Sequence, residues 1–427
     1  MYSRVLSFLM VLVVLSVLVF FFSCSLSPSP SATNEVTNEG SGGSVADTNK
    51  PSVSITTPTN GQVLYDNRIT VSGTASDEGS GVKEVWLSVN GGAYGKVNGT
   101  TSWSTNVTVN YGNNTIRVYA VDNSNNVSTT NTVSVFRDYV VFVSTVGSDA
   151  NTGGISDPFR SINVAMGHIS ASITASVTVT VKVGSGVYTP GSGLSSSGSG
   201  FVINRPNVII SGGWNSGFSN VVGESELDGN NDLYHVVMIK DVTNVRLENL
   251  VIRGGNANGS DPDDSGGGIY VSRVSYLVIE SNVVISNNSA SWNGGGLYLD
   301  RSTNTTISGS VYSNSANNNG GGLYLYYSQN TTISGSVYGN SANNNGGGLF
   351  LLYSPNTTIS SSVYSNRANY RGGGVYLLNS DYFTNTGWIT NNTAGSAGAG
   401  GGVHRIGSYP NSYFGNVSGN FPNNIAP

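Results

Sequence analysis

Residues 320–345 read GGGLYLYYSQNTTISGSVYGNSANNN, and residues 346–371 read GGGLFLLYSPNTTISSSVYSNRANYR. The two 26-residue units are near copies, and each holds three short runs of strand-forming residues separated by Gly, Asn and Ser. Each run is too short to make a sheet by itself. Equivalent runs of successive units are therefore predicted to stack in parallel, about 4.8 Å apart. Further Gly triplets of the same repeat begin at Gly266, Gly294, Gly372 and Gly400.

The length of the repeat narrows the choice of fold. The triplets follow one another at intervals of 28, 26, 26, 26 and 28 residues, which suits coils of three short strands and three bends. Propeller blades need about 40 residues. Helices are excluded because Gly and runs of Asn, Ser and Thr interrupt every unit. The sequence predicts a parallel β-helix with coils of 26–28 residues over residues 139–427.

One asparagine recurs near the same position of successive coils. Asn tolerates a left-handed backbone, and its side-chain amides can form a ladder up a stack. We prefer such stacked turns to glycosylation as the explanation of the Asn-x-Ser/Thr tripeptides. The recurring residues are Asn288, Asn314, Asn340, Asn366 and Asn392.

The GGG-aliphatic-Tyr coils resemble those of parallel β-helix proteins, including the repeat region of polymorphic outer-membrane proteins. Residues 143–151 and 158–162 resemble the opening of such domains. The resemblance implies a right-handed, pectate-lyase-like solenoid. Upstream of the Gly triplets, four apolar residues recur at helical spacing. This spacing predicts a helix that caps the open end of the coil. The members of this set are Phe159, Ile162, Met166 and Ile169.

Residues 51–138 alternate between apolar and polar positions in about seven short runs, which is typical of a β-sandwich. The turn at residues 90–92, Asn-Gly-Gly, follows one alternating run and indicates a hairpin. The segment resembles bacterial Ig-like modules, in which it usually serves as a spacer. Asp77 and Asp122 could bind calcium through carboxylate oxygens. The simpler interpretation is that they cap turns.

The N-terminus has the features of an export signal. Arg4 precedes an apolar run over residues 6–22, so residues 1–23 are predicted to be a signal peptide. Cys24, the single cysteine, resembles the lipidated residue of bacterial lipoproteins, although Phe21 and Phe22 depart from the usual pattern. Residues 24–50 are predicted to be a disordered tether. We expect an exported protein, held at the cell envelope or surface by a lipid anchor alone, or else secreted.

Charge argues against one class of partner. The chain has 18 basic and 23 acidic residues, a net charge of −5, and no cluster of Lys and Arg. Nucleic acid is therefore excluded as a partner. A polysaccharide, a cell-surface glycan or a protein is the expected partner, and no cofactor is expected, with calcium as the alternative.

An aromatic residue stands between two inward-facing aliphatics in the strand after each Gly triplet. Alternation predicts that these aromatics form an exposed row, one per coil. A saccharide- or partner-binding strip is one hypothesis for the row, and a ladder that stabilises the sheet is the simpler one. A second row, Tyr312, Tyr338 and Tyr364, is predicted to point inward, because flanking units carry Ile285 and Ile389 at that position. The first row is Tyr270, Tyr298, Tyr324, Phe350, Tyr376 and His404.

Many parallel β-helix proteins are polysaccharide lyases or hydrolases, which need clustered carboxylates and a basic group. Three or more carboxylates converging beside Arg246 or Arg253 would indicate such a groove. The alternative catalytic residues are Asp228, Arg246, Glu248 and Arg253, and the alternative metal ligands are Asp261, Asp263 and Asp264.

Carboxylates are sparse in the coils after Gly294, so the preferred function is a non-catalytic surface protein that presents a rigid β-helix for adhesion or glycan binding. The alternative is a carbohydrate-active enzyme, a lyase or glycoside hydrolase, that acts on an extracellular polysaccharide.

Overall fold

The structure is a computed structural model, and it describes residues 46–396, 399–407 and 411–427. The predicted signal peptide, Cys24 and most of the predicted tether lie outside the described residues. Residues Asp47–Pro427 form one compact unit. Within the described residues, no helix is both long and apolar enough to cross a membrane.

The first part of the compact unit is a sandwich of two mostly antiparallel sheets around Trp103, Val71 and Ile116, which are almost fully buried. Alternation along each strand places one face of each sheet in this core. One sheet contains Ser52–Thr57, Arg68–Ser76, Ser102–Thr108 and Asn98–Gly99, in this order. The other contains Val63–Leu64, Asn131–Arg137, Gly112–Asp122, Val82–Val89 and Gly95–Lys96.

The second part is a solenoid of three parallel sheets, here called A, B and C. Sheet A contains Val140–Val143, Val179–Gly184, Val208–Trp214, Thr243–Glu248, Ser275–Ile279, Thr303–Ile307, Gln329–Ile333, Thr358–Ile359 and Thr384–Asn385. Sheet C contains Ser199–Ile203, His235–Lys240, Ile269–Ser272, Leu297–Asp300, Leu323–Tyr326, Leu349–Leu352, Val375–Leu378, Val403–Ile406 and Ile425–Ala426.

Sheet B is the most divided of the three, because each later coil crosses it with two short strands. One path contains Leu250–Ala257, Val284–Ser286, Ser310–Tyr312, Val337–Tyr338, Ser362–Tyr364, Trp388–Thr390 and Asn416–Ser418. The other path starts from the same strand, Leu250–Ala257, and continues with Ser289–Ala290, Ser315–Ala316, Ser341–Ala342, Arg367–Ala368 and Thr393–Ala394. Gly186–Pro190, Gly193–Leu194 and Ser225–Leu233 complete it. The predicted all-β class, an Ig-like sandwich followed by a parallel β-helix, is confirmed.

The interior of the solenoid is aliphatic, and the predicted asparagine ladder runs beside it. Asn340 is 1% exposed, and its Nδ2 donates to Asn366 Oδ1 at 3.0 Å. Asn314 Nδ2 donates to Asn340 Oδ1 at the same distance, and the series continues to Asn420. The ladder satisfies the amides by one another, so polar groups are buried in each coil without loss of hydrogen bonds.

A short helix closes the N-terminal end of the solenoid, as predicted. The helix Ile162–His168 begins after Ser161, whose side chain accepts from the Val164 N–H, and Ala171–Thr174 forms a further turn. Ile162 and Met166 are buried against the first coils, together with Phe159 and Ile169. The apolar set therefore covers strand edges that would otherwise be open.

Candidate functional site

The first aromatic row stacks along sheet C as predicted, with ring centroids 5.4 Å apart for Tyr270 and Tyr298 and 4.7 Å apart for Phe350 and Tyr376. Its exposure was predicted wrongly. Tyr324 is 6% exposed, Phe350 4% and Tyr376 5%. From Tyr324 to His404 the row is a buried ladder that stabilises the sheet, whereas Tyr270 and Tyr298 are half-buried.

The Gly triplets are the reason for this burial. A Cβ added to Gly320 would lie 2.9 Å from Tyr324 Cβ, so the backbone of the triplet passes directly over the aromatic row. Tyr326, Leu352 and Leu378 pack against the same row. At its end, burial lowers the pKa of His404 to about 4, so this ring is neutral at pH 7.

The second aromatic row points outward, which corrects the prediction. Val311, Val337 and Val363 are fully buried at the neighbouring positions, and alternation turns each following tyrosine to the surface. The Tyr312 and Tyr338 rings stack 4.8 Å apart, and the Tyr338 and Tyr364 rings 4.9 Å apart. Ile285 and Ile389 pair with the valines rather than with the tyrosines.

A serine precedes each of these tyrosines by two residues and shares its face. The row of serines ends at Trp388, which pairs with Ser362 and is 55% exposed. We call this surface of sheet B the tyrosine face. It consists of Tyr312, Tyr338, Tyr364, Ser310, Ser336, Ser362 and Trp388.

The alternative catalytic residues fall on two sheets. Asp228 and Arg253 pair across sheet B, where Arg253 Nη2 lies 2.9 Å from Asp228 Oδ2 and also contacts Glu226. Arg246 and Glu248 lie on sheet A, where Arg246 forms an ion pair of 2.9 Å with Glu280. Among the described residues, Arg253 forms ion pairs with two carboxylates and Arg246 with one. Neither arginine has the three neighbouring carboxylates that a lyase-like groove was expected to show.

The acidic loop at Asp261, Asp263 and Asp264 lies beside a buried histidine. His235 Nε2 lies 3.3 Å from Asp263 Oδ1. His235 Nδ1 donates to the Gly266 carbonyl at 3.0 Å, because a carbonyl oxygen only accepts. Burial lowers the pKa of His235. The three carboxylates do not form one of the converging acidic groups found in the described residues.

A converging acidic group lies instead in the Ig-like sandwich. Carboxylate oxygens of Asp47, Asp77 and Asp122 all lie within 4.8 Å of one another. The turn-capping interpretation is confirmed, because Asp77 Oδ2 accepts from the Gly81 N–H at 2.7 Å and Asp122 Oδ1 from the Asn126 N–H at 2.7 Å. Yet Asp77 Oδ1 is buried without a donor. The participation of Asp47 could not be read from the sequence, because it precedes the sandwich.

Two family models match parts of the chain. A bacterial Ig domain model matches residues 51–135, and a model described as periplasmic copper-binding protein (NosD) matches residues 261–424. No curated protein matches the chain.

Two solved structures are similar. The CbhA fibronectin(III)-like modules of Clostridium thermocellum share 28% identity over 21% of this chain and 47% of theirs, with a TM-score of 0.20. The family 28 exopolygalacturonase of Yersinia enterocolitica shares 11% identity over 86% of this chain and 79% of its own, with a TM-score of 0.27. Both scores are too low to bear on function.

Copper does not fit the residues present in the NosD-like region. Copper prefers His, Cys and Met ligands, but residues 261–424 contain one histidine and neither Cys nor Met. That histidine, His404, is buried in the aromatic ladder. The chain therefore carries a bacterial Ig domain followed by a NosD-like parallel β-solenoid, and the two matches together indicate an exported, envelope-associated protein.

Proposed function

We propose that this protein is a non-catalytic surface protein that binds a neutral polysaccharide through its tyrosine face. The observation that carries the proposal is the outward-facing, half-buried row Tyr312, Tyr338 and Tyr364 beside its row of serines. Such a face repeats at the spacing of the coils, so a ligand with repeating units meets the same groups several times. Lipidation of Cys24 and the tether of residues 24–50 would hold this face at the envelope.

The chemistry of the face favours a neutral ligand. Tyr312, Tyr338 and Tyr364 use their ring faces on one another, so they offer ring edges and hydroxyl groups outward. Trp388 at the end of the face adds an exposed indole. From the coil of Ser286 to that of Trp388, the outward positions of these strands carry no charged side chain. Hydroxyl groups can exchange hydrogen bonds with a glycan, and many weak contacts along one chain add up.

Replacing Tyr312, Tyr338 and Tyr364 together by serine is expected to weaken binding to a neutral polysaccharide about tenfold, since each ring loses apolar contact area. Affinity electrophoresis against a panel of neutral and acidic polysaccharides measures this. The control is Tyr324→Phe with Tyr376→Phe, which alters only the buried ladder. Equal retention of the wild type and the triple variant would refute the proposal.

The same incubations test the enzymatic alternative. On sheet B, Glu226 and Asp228 bring two carboxylates to one basic group, Arg253. Release of reducing ends or unsaturated products that is abolished by Asp228→Asn would replace the binding function by a carbohydrate-active enzyme.

Calcium is the cofactor that we propose for the Ig-like sandwich. Carboxylate oxygens are the ligands that calcium prefers. Asp122 is fully buried, and the buried Asp77 Oδ1 accepts no hydrogen bond. A cation bound here would neutralise the buried carboxylate of Asp122 and give Asp77 Oδ1 a partner. The backbone N–H of Ser80 lowers the pKa of Asp47, which favours the ionised form of this half-buried carboxylate.

Millimolar calcium chloride is expected to raise the melting temperature of the sandwich, because a cation bound by the folded state stabilises it. Differential scanning calorimetry measures the shift, with magnesium chloride as the comparison. Asp77→Asn should abolish the shift while its amide oxygen still caps the turn. A shift that persists in this variant would exclude the acidic group as the site.

A further inference from the structure

From the strand His235–Lys240 to the strand Val375–Leu378, each coil turns a corner directly after its strand in sheet C, through one residue with a left-handed backbone. Arg273 has φ 53°, Arg301 46°, Tyr327 48° and Tyr353 50°. Large side chains rarely adopt this conformation, because the Cβ crowds the neighbouring carbonyl. We call this row the arginine–tyrosine corner. In chain order, it consists of Asp241, Arg273, Arg301, Tyr327, Tyr353 and Asn379.

A second corner of the same coils shows that large residues are not required there. Along sheet B, the corner after each strand from Val284–Ser286 to Asn416–Ser418 on the first path has the same left-handed backbone, with φ between 54° and 64°. Small residues occupy it throughout, namely Asn287, Ser313, Gly339, Ser365, Asn391 and Gly419. The arginines and tyrosines of the first corner are therefore not explained by the turn itself, and strained positions of this kind accompany functional surfaces.

The side chains of the arginine–tyrosine corner face solvent. Tyr327 is 46% exposed and Tyr353 40% exposed, and their rings stack 4.8 Å apart. Arg273 forms an ion pair of 2.6 Å with Asp241, and Arg301 one of 3.1 Å with Asp300. Tyrosine and arginine are the residues enriched in the energetic centres of protein interfaces.

The order of residues along this corner makes it complementary to a second copy that runs in the opposite direction. A two-fold axis between the coils of Arg301 and Tyr327 would set Arg301 of one copy opposite Tyr327 of the other. The same axis sets Arg273 opposite Tyr353, and Asp241 opposite Asn379. Each arginine then meets a tyrosine ring, which is a favourable cation–π arrangement, and the contact is isologous, as a two-fold axis requires.

We propose that two copies of this chain associate side by side and antiparallel through the arginine–tyrosine corner. A single corner makes a narrow contact, below the roughly 1,200 Å² of a stable interface, so the pair is weak and concentration-dependent. The antiparallel direction places the two Ig domains at opposite ends of the pair. Chains tethered on two facing cells would meet in this arrangement.

Sedimentation velocity of the purified full chain over a hundredfold range of concentration tests the proposal. The wild type is expected to form a reversible dimer. Tyr327→Asn with Tyr353→Asn should raise the dimer dissociation constant at least tenfold. Its melting temperature should stay the same or rise, because Asn already occupies this corner at Asn379.

A charge-swap pair provides the second measurement. Tyr327→Arg with Tyr353→Arg places like charges opposite each other, so this variant should be monomeric. Mixed with Arg273→Tyr plus Arg301→Tyr, it should form a heterodimer, because all four cation–π contacts return. A wild type that is monomeric throughout, a Tyr-to-Asn variant that still dimerises, or a mixture without heterodimer would each overturn the proposal. So would loss of polysaccharide binding in the Tyr-to-Asn variant with unchanged sedimentation, which would assign the corner to a glycan.

Discussion

Replacing Asn340 by alanine is expected to lower the free energy of unfolding by about 4 kcal/mol, because buried polar groups lose their partners. Asn340 Nδ2 donates to the Val311 carbonyl and to Asn366 Oδ1, both at 3.0 Å. Its Oδ1 accepts from the N–H and from Nδ2 of Asn314, also at 3.0 Å. The change leaves a buried carbonyl and a buried N–H without their side-chain partner in the middle of the stack.

The matched control is Asn343→Ala in the same coil. Asn343 Nδ2 also donates to an asparagine of the preceding coil, Asn317, at 3.3 Å, but Asn343 is exposed. Water can satisfy the freed groups, so the expected loss is below about 0.5 kcal/mol. Chemical denaturation followed by circular dichroism measures both variants. Similar losses in the two would mean that the buried ladder adds nothing beyond an ordinary surface hydrogen bond.

Replacing Gly347 by alanine is expected to cost about 3 kcal/mol or more, because the added methyl group enters a packed backbone. A Cβ at this position would lie 2.5 Å from the Gly373 carbonyl oxygen and closer still to the carbonyl of Arg367. Both neighbours are backbone atoms of the stack, so neither can move without shifting a coil.

Gly339→Ser separates this effect from the general cost of replacing a glycine. Gly339 has φ 62°, but a Cβ added there would meet only Ser313, at 3.9 Å, and Ser313 and Ser365 occupy the equivalent position with φ 54°. The expected change is within about 0.5 kcal/mol. Thermal and chemical denaturation of the two variants give the comparison. A Gly347→Ala variant as stable as Gly339→Ser would show that the triplet is not a packing requirement.

The fold could be predicted from the sequence because its determinants are local and repeated. The intervals between Gly triplets gave the coil length, and the recurrence of Asn314, Asn340 and Asn366 gave the ladder. The helical spacing of Ile162 and Met166 gave the cap. Each of these patterns depends only on residues near one another in the chain or at the same place in the next coil.

The candidate site was harder to predict, because it depends on what covers each face. Alternation correctly separated Tyr324 from the inward aliphatics, but it could not show that the Gly320 backbone passes over the ring. The inward orientation of the second row was predicted by aligning Tyr338 with isoleucines of the flanking coils. That alignment is wrong by one residue, and a shift of one residue along a strand moves a side chain to the opposite face of the sheet. Only Arg253 among the predicted basic residues meets Asp228, because the pairing of strands within sheet B brings them together.

The nearly identical coils of residues 320–345 and 346–371 have a consequence for the length of the solenoid. In such a stack each coil touches only its two neighbours, so a whole coil can be gained or lost without a new junction having to form. A solenoid with one coil more or one coil fewer would therefore differ in length and keep the same cross-section.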